Sequence, residues 1–293
     1  MSAKNHIIIF NINLLLRRYG KSRLIVTCYC NSKRVQTLPI ELSYQIITLL
    51  FAVAILAGFI DAIAGGGGLL TIPALMWAGL PPTVALGTNK LQACGGSFFA
   101  SVYFVRKGRV ILGEMKLSIL CAFIGAAIGT IAVQLIDIVY LQMILPFLML
   151  AIGGYFLFSK KISEDDRHQL LTPAVFALTA ALGVGLYDGF FGPGTGSFFA
   201  LAFVSLSGYG LAKATAHAKV LNFSTNIASL IFFALGGKVF WMLGAIMLVG
   251  QALGATLGSR LVVSKGTKMI KPLVVCMSVL MSVKLLSSQY ALF

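Results

Sequence analysis

Gly58-Phe-Ile-Asp61-Ala-Ile-Ala-Gly65-Gly-Gly67 and Gly185-Leu-Tyr-Asp188-Gly-Phe-Phe-Gly192-Pro-Gly194 decide how this chain folds. They align at an offset of 127 residues. Each closes a long apolar run with an aspartate, breaks in a glycine cluster and opens a short apolar segment. Beyond them the offset becomes 129 and stays there. Gly79 matches Gly208, Lys90 matches Lys219, Arg109-Val110 matches Lys238-Val239, and Gly125-x-x-x-Gly129 matches Gly254-x-x-x-Gly258. One offset held across three apolar runs marks two homologous repeats, read as residues 43–160 and 161–293, joined by the polar linker Ser159–Gln169.

The composition says where such repeats reside. The chain has 293 residues, of which 58% are hydrophobic and 11% charged. Its mean hydropathy is +0.94. A soluble domain of this size cannot hide so much apolar surface. An ordinary soluble enzyme, a disordered chain and a disulfide-stapled module are excluded. The five cysteines include a lone C-x-C, Cys28 and Cys30, with no second pair to complete a metal site. The net charge of +15 reflects basic residues in a tail and in short loops, where they set membrane orientation, and implies no nucleic acid.

The apolar runs are 43–64, 67–79, 83–105, 110–135, 138–159, 171–190, 194–207, 211–236, 239–263 and 267–287. Most reach the roughly 20 residues needed to cross a bilayer. The segments 67–79 and 194–207 do not, covering about 20 Å each at 1.5 Å per residue. The fold class expected is an all-α polytopic membrane protein of two repeats with five helical segments each, one of them a glycine-initiated half-helix. If all ten runs cross, twelve loop Lys and Arg residues fall on one side and, apart from the N-terminal tail, only Lys238 on the other. If the short segments are re-entrant, eight crossings remain and the split is eight against five. The positive-inside bias favours ten and makes the repeats inverted. Residues 1–42 stand apart: a basic N-terminal extension, with seven Lys and Arg in its first 34 positions, expected to be weakly ordered or to lie on lipid headgroups.

Three sets of residues can carry chemistry. Asp61 and Asp188 end long apolar helices at a depth where an ionised carboxylate is expensive. They read as proton-coupling sites or as caps for the short helices that follow, and both roles stay open. The clusters Gly65, Gly66, Gly67 and Gly192, Gly194, with Thr195 and Gly196, permit irregular backbone that survives in a membrane only when buried or lining a cavity. Two short helices starting there direct positive dipole ends at one point, which suits an anion. The alternative is that these glycines serve helix packing. The third set is Thr88, Asn89, Lys90 and Gln92, matched in the second repeat by His217, Lys219, Asn222 and Asn226. Amides and ammonium groups there could bind an oxyanion. Alternatively, the lysines snorkel to headgroups and the amides join helices. His217 reads as a helix contact before a proton relay, and Trp77 and Trp241 as interfacial anchors.

At these motifs the sequence resembles the sulfite exporter TauE/SafE family, the toluene sulfonate uptake permeases, over residues 43–290. The resemblance rests on Gly58-Phe-Ile-Asp61-x-x-Ala-Gly-Gly-Gly-Gly68 with Gly87-Thr-Asn-Lys90, and on Asp188-Gly-Phe-Phe-Gly-Pro-Gly-Thr-Gly196 with Lys219 and Asn222. It implies a multi-pass transporter of the bacterial inner membrane that carries small, often sulfur-containing, organic or inorganic anions. Members commonly have about eight transmembrane helices, against the ten counted above. Substrate varies among branches, and the tail at 1–42 lies outside the family pattern.

The reading is therefore a secondary transporter, not an enzyme. The expected partners are a small anionic substrate and the lipid bilayer, with no cofactor or metal. A homo-oligomer is left open. The rivals are a passive anion channel, a membrane-embedded enzyme and a scaffold for a partner complex.

Overall fold

A computed structural model describes residues 17–18, 23–26, 40–136, 140 and 168–265. The apolar run 138–159 apart from Tyr140, the run 267–287 and the cysteines Cys28, Cys30 and Cys276 lie outside them. The chain divides into two compact units, Met1–Ile47 and Thr48–Phe293.

The first unit departs from the tail expected to be weakly ordered or to lie on headgroups. It holds three short antiparallel strands, β1 (Arg17–Arg18), β2 (Arg23–Val26) and β3 (Ile40–Ser43), with Leu24 opposite Leu42 and Val26 opposite Ile40. The Leu-Ile-Val run of β2 is strand-forming by residue type, a local signal that the hydropathy of the whole tail conceals.

Among its described residues, the regular elements of the second unit are all helices. Its helices are α1 (Tyr44–Ala64), α2 (Gly68–Trp77), α3 (Pro82–Arg106), α4 (Lys116–Leu135), α5 (Pro173–Phe190), α6 (Thr195–Leu206), α7 (Leu211–Leu235) and α8 (Trp241–Lys265). A 3-10 turn, Leu112–Met115, leads into α4, and α5 contains a π turn at Ala177–Ala181. Pro82 opens α3 and Pro173 opens α5, where the missing N–H costs nothing. The Thr172 hydroxyl caps α5 by accepting the Val175 N–H at 3.4 Å.

Helices α1, α4 (with its 3-10 turn), α5, α7 and α8 are long and apolar enough to cross a membrane. Helix α3 is as long as α7, but its Thr88, Asn89, Lys90 and Gln92 are all buried within the protein. Helices α2 and α6, of 10 and 12 residues, cover about half of a 30 Å hydrocarbon layer. Leu120, Ile124, Ile128 and Ile131 of α4, and Val249, Leu253 and Leu257 of α8, are exposed, which in water would be a liability and in lipid is the solvent-facing surface.

The two halves of the second unit hold each other through their fourth and last described long helices. In α4, a Cβ at Gly125 would lie 2.2 Å from the Leu182 carbonyl oxygen, and one at Gly129 would lie 2.1 Å from that of Leu186, both on α5. In α8, Gly254 and Gly258 stand in the same relation to Ile55 and Phe59 on α1, at 1.9 and 2.5 Å. Leu182 and Leu186 are Ile55 and Phe59 shifted by 127, so the two contacts are counterparts. Small residues let the helix backbones touch, which is how helices associate where lipid removes the hydrophobic drive. Helix α3 likewise packs on α8 of the other repeat, and α7 on α4.

Candidate functional site

The two glycine loops meet. Gly65 has φ +73° and Gly192 has φ +90°, the left-handed region that glycine adopts without strain. A Cβ on Gly65 would lie 2.2 Å from the Ser197 amide nitrogen, and one on Gly196 would lie 2.6 Å from the Gly65 Cα. A Cβ on Gly68 would lie 3.4 Å from the Pro193 Cα. The starts of α2 and α6, capped by Gly67 and Gly194, are therefore in van der Waals contact. No side chain larger than hydrogen fits at Gly65 without moving backbone.

Two ion pairs flank this crossing, and each joins the first half of the chain to the second. Lys90 Nζ of α3 lies 2.8 Å from Asp188 Oδ1 at the end of α5, and donates to the Asp188 carbonyl oxygen at 2.6 Å. Lys219 Nζ of α7 lies 2.9 Å from Asp61 Oδ2 at the end of α1, and donates to the Asp61 carbonyl oxygen. Each ammonium thus gains a carboxylate and a carbonyl near a helix C-terminus, where the peptide dipoles favour a cation. Both lysine side chains are 1% exposed, so neither snorkels to headgroups. A charge pair removed this far from water is tolerated only with close geometry and additional hydrogen bonds.

The two pairs differ in their surroundings. The Thr195 hydroxyl lies 2.6 Å from Asp188 Oδ1 and 2.7 Å from the Gly192 carbonyl oxygen, sharing one proton between two acceptors. The Tyr187 hydroxyl donates to the Pro193 carbonyl oxygen at 2.6 Å. Asp188 Oδ2 is buried and has no hydrogen-bond partner among the described residues. Asp61 has a looser setting. Its Oδ1 accepts the Gly67 N–H at 3.4 Å, and its side chain is 13% exposed against 2% for Asp188. Asp61 thus reaches the N–H of Gly67, the residue before α2, and Asp188 the hydroxyl of Thr195, the first residue of α6; neither side chain caps the backbone within its short helix, and each holds a lysine.

The remaining sequence candidates separate. Asn89 faces α2: its Oδ1 accepts the Thr71 hydroxyl at 2.6 Å and the Gln92 amide at 3.0 Å. Gly66 and Gly67 accept the first helical N–H bonds of α2. The Asn226 amide donates to Asn222 Oδ1 at 3.2 Å, one turn along α7. Thr88 is elsewhere. Its hydroxyl accepts the Phe240 N–H at 3.0 Å beside the start of α8, and it lies about 200° around the helix from Lys90. His217 Nδ1 is 2.8 Å from the Lys213 carbonyl oxygen, and its ring packs on Phe203 and Tyr209, so it serves as a helix contact. Trp77 and Trp241 are exposed at the end of α2 and the start of α8.

Sequence reasoning missed Gln251. This α8 residue is 1% exposed, and a Cβ on Gly67 would lie 3.1 Å from its Nε2. A lone buried amide in an apolar run, one turn before Gly254-x-x-x-Gly258, is the signal that could have found it.

The sulfite exporter TauE/SafE family model matches residues 50–285. The chain is 58% identical over 238 residues to the probable membrane transporter protein YfcA of Escherichia coli K12, covering 81% of this chain and 88% of that protein. A probable membrane transporter protein of Haemophilus influenzae is 50% identical over 85% of this chain and 98% of its own length. A probable membrane transporter protein, ORF9, of a Sinorhizobium species is 46% identical over 84% and 95%. No solved structure matches significantly. The chain belongs to the sulfite exporter TauE/SafE family of membrane transporters, and is a multi-pass membrane protein.

Proposed function

We propose that this family member is a proton-coupled secondary carrier of small oxyanions of the sulfite and sulfonate type, placed in the bacterial inner membrane. The observation that carries this reading is the pair of exchanged, buried lysine–aspartate contacts beside two touching half-helix starts. The exchange of α4 and α8 between repeats at matching positions supports an inverted, pseudo-symmetric arrangement in which the repeats rock against each other.

The chemistry follows from competition for the ammonium groups. In the state described here each lysine is neutralised by an aspartate. An oxyanion that takes the lysine displaces the carboxylate, and a carboxylate left alone at this depth costs several kcal/mol. Taking up a proton removes that cost. Anion binding and proton binding thereby favour each other, and the two travel in the same direction. Asp188 is built to hold the proton. Its O–H can donate to the Thr195 hydroxyl, whose own proton then turns to the Gly192 carbonyl oxygen, with no backbone movement. The glycine loops at 65–67 and 192–194, with Thr195 and Asn89 beside them, supply the remaining polar surface, and Asn222 lies one turn beyond Lys219 on α7.

The test is uptake of labelled sulfite, methanesulfonate and related small anions into liposomes holding the purified protein, with and without an inward proton gradient. Wild type is expected to accumulate at least one anion, faster as the external pH falls. Asp61→Asn and Asp188→Asn are expected to lose gradient-driven accumulation. Unchanged transport and unchanged pH dependence in both variants would sink the carboxylate mechanism. Equilibration without accumulation in wild type would make the protein a channel.

A further inference from the structure

The seat of the anion, an inference that rests on the carrier reading above, is marked by an amide. Asn89 of α3 is 3% exposed. Its Oδ1 accepts both the Thr71 hydroxyl of α2, at 2.6 Å, and the Gln92 side-chain amide, at 3.0 Å. Two donors on one atom fix the orientation of the amide, since its NH2 end can accept neither. Nδ2 is thereby directed away from Thr71 and Gln92, and it donates to nothing among the described residues. It lies 3.7 Å from the Cβ position of Gly68, a point that is itself 3.4 Å from the Pro193 Cα. A buried amide N–H normally finds an acceptor, and this one is aimed, without an acceptor, at the crossing of the two glycine loops.

The start of α2 offers a second donor at the same place. The N–H groups of Leu69, Leu70 and Thr71 go to the carbonyl oxygens of Gly66 and Gly67, and that of Gly67 faces Asp61. The Gly68 N–H is the one that the first turn leaves over among the described residues. The peptide dipoles of α2 put their positive end there. Gly65, Gly66 and Gly67 are buried, whereas Gly68 is partly exposed. Across the crossing, Gly192 is partly exposed as well, and Lys90 Nζ lies 3.0 Å from its Cβ position. Asn89 and Lys90 are neighbours on α3, and they turn toward neighbouring residues of the other loop, Pro193 and Gly192.

The second half of the chain shows that helix packing does not require this amide. At the offset of 129, Thr71, Asn89 and Gln92 correspond to Ala200, Ala218 and Leu221. All three are buried apolar residues, and α6 packs on α7 with them as α2 packs on α3. A half-helix thus seats on its neighbour without any polar side chain at these positions. The polar trio of the first half spends two members on holding the third, and leaves that third with a free donor.

We propose that the anion is seated at the start of α2, on Asn89 Nδ2, the Gly68 N–H and the Lys90 ammonium, and that Asn89 is a substrate-binding residue with Thr71 and Gln92 as its positioning residues. All three groups are donors, so the ligand that satisfies them is an anion whose head carries several acceptor oxygens, as sulfite and sulfonates do. When the anion takes Lys90, Asp188 is released from its ion pair, gains its proton and turns to Thr195, as the carrier mechanism requires. Asn89 has no part in that proton step. Its contribution is to affinity for the anion.

The experiment measures initial uptake of labelled sulfite and methanesulfonate into liposomes, under an inward proton gradient, for wild type, Asn89→Ala, Asn89→Asp and Thr71→Val, with thermal unfolding of each purified variant as a folding control. Asn89→Ala gives the first half the residue type of Ala218 and is expected to raise KM about tenfold, the loss of one hydrogen bond to a charged group, with the maximal rate kept within about twofold. Asn89→Asp keeps an acceptor for Thr71 and Gln92 but puts a carboxylate oxygen in place of the free donor, and is expected to raise KM further. Thr71→Val removes the bond between α2 and α3 and keeps the donor, so KM should stay within about threefold of wild type. A KM unchanged in both Asn89 variants, with wild-type uptake intact, would overturn the seat and leave the carrier reading standing. A KM raised as much by Thr71→Val as by Asn89→Ala would make Asn89 a brace between helices and overturn the seat equally, as would a maximal rate that falls at unchanged KM. If Asn89→Ala unfolds, Asn89→Asp decides by the same KM criterion, and unfolding of both makes the residue structural. No uptake of either anion by wild type would sink the carrier reading for sulfur oxyanions, and the seat falls with it.

Discussion

Neutralising one member of the Lys90–Asp188 pair should damage this protein more than neutralising both. The side chains are 1% and 2% exposed, and the charged atoms are 2.8 Å apart. Lys90→Met leaves the carboxylate with the Thr195 hydroxyl as its remaining donor among the described residues, and strips a 2.6 Å hydrogen bond from the Asp188 carbonyl. Asp188→Asn leaves a buried ammonium with that carbonyl and an amide oxygen. Breaking a buried pair by removing one partner costs about 3–5 kcal/mol, because the surviving charge has lost both water and its counterion. The double variant Lys90→Met, Asp188→Asn carries no buried charge. It should recover most of the loss, with a coupling energy on the order of 2–4 kcal/mol, the size expected when a shared charge network is cut. The assay is unfolding of purified protein in detergent, followed by the fluorescence of Trp77 and Trp241, the two tryptophans of the chain. A double variant whose loss equals the sum of the two single losses would refute the reasoning, since the groups would then not be interacting as charges. Lys219→Met should cost less than Lys90→Met, because Asp61 is 13% exposed and water can reach the orphaned carboxylate.

The loops and the exchanged helices give two further tests. Gly65→Ala meets both a left-handed φ of +73° and a backbone atom 2.2 Å from the new Cβ, so it should lower the yield of folded protein severely, whereas Gly79→Ala, at φ +95° with open space around it, should cost only about 1–2 kcal/mol of backbone strain, as read by the same fluorescence unfolding. Gly129→Ala and Gly254→Ala drive a methyl to 2.1 and 1.9 Å from a facing carbonyl oxygen, and each should lower thermal stability by more than about 2 kcal/mol while a lipid-facing change such as Ile128→Ala stays within about 1 kcal/mol; equal effects would mean that α4–α5 and α1–α8 do not pack on their glycines.

Much of the architecture is written in linear patterns. Apolar runs of about 20 residues must become helices, because in lipid every backbone N–H and C=O has to be satisfied within its own segment. The run read at 83–105 is helix Pro82–Arg106, and that read at 211–236 is Leu211–Leu235. The half-helices were legible because glycines before a short apolar run start and limit a helix by local geometry alone. The strands at Arg23–Val26 and Ile40–Ser43 were not, since pairing of two four-residue strands depends on which segments meet.

The site shows the division most clearly. The sequence by itself determined that two aspartates and two lysines stand at matching positions in apolar runs of the two halves, because type and spacing are linear properties; the burial of the lysines came only with the fold. It did not determine their partners. Asp61 could have met Lys90, 29 residues away in the same repeat, as readily as Lys219, 158 residues away in the other. The crossing of the two glycine loops, with Gly65 against Gly196, and the packing of α3 on α7 decide the matter, since they set the end of α1 beside Lys219 and the end of α5 beside Lys90. The packing of α8 on α1 brings Gln251 to Gly67, although a single amide on α8 has no local pattern to announce it. Thr88 shows the converse. Two residues from Lys90 in sequence, it is turned away by helical geometry to cap the chain before α8. Contacts between distant segments depend on helix packing, and helix packing depends on the shapes of several surfaces at once, which no single stretch of sequence contains.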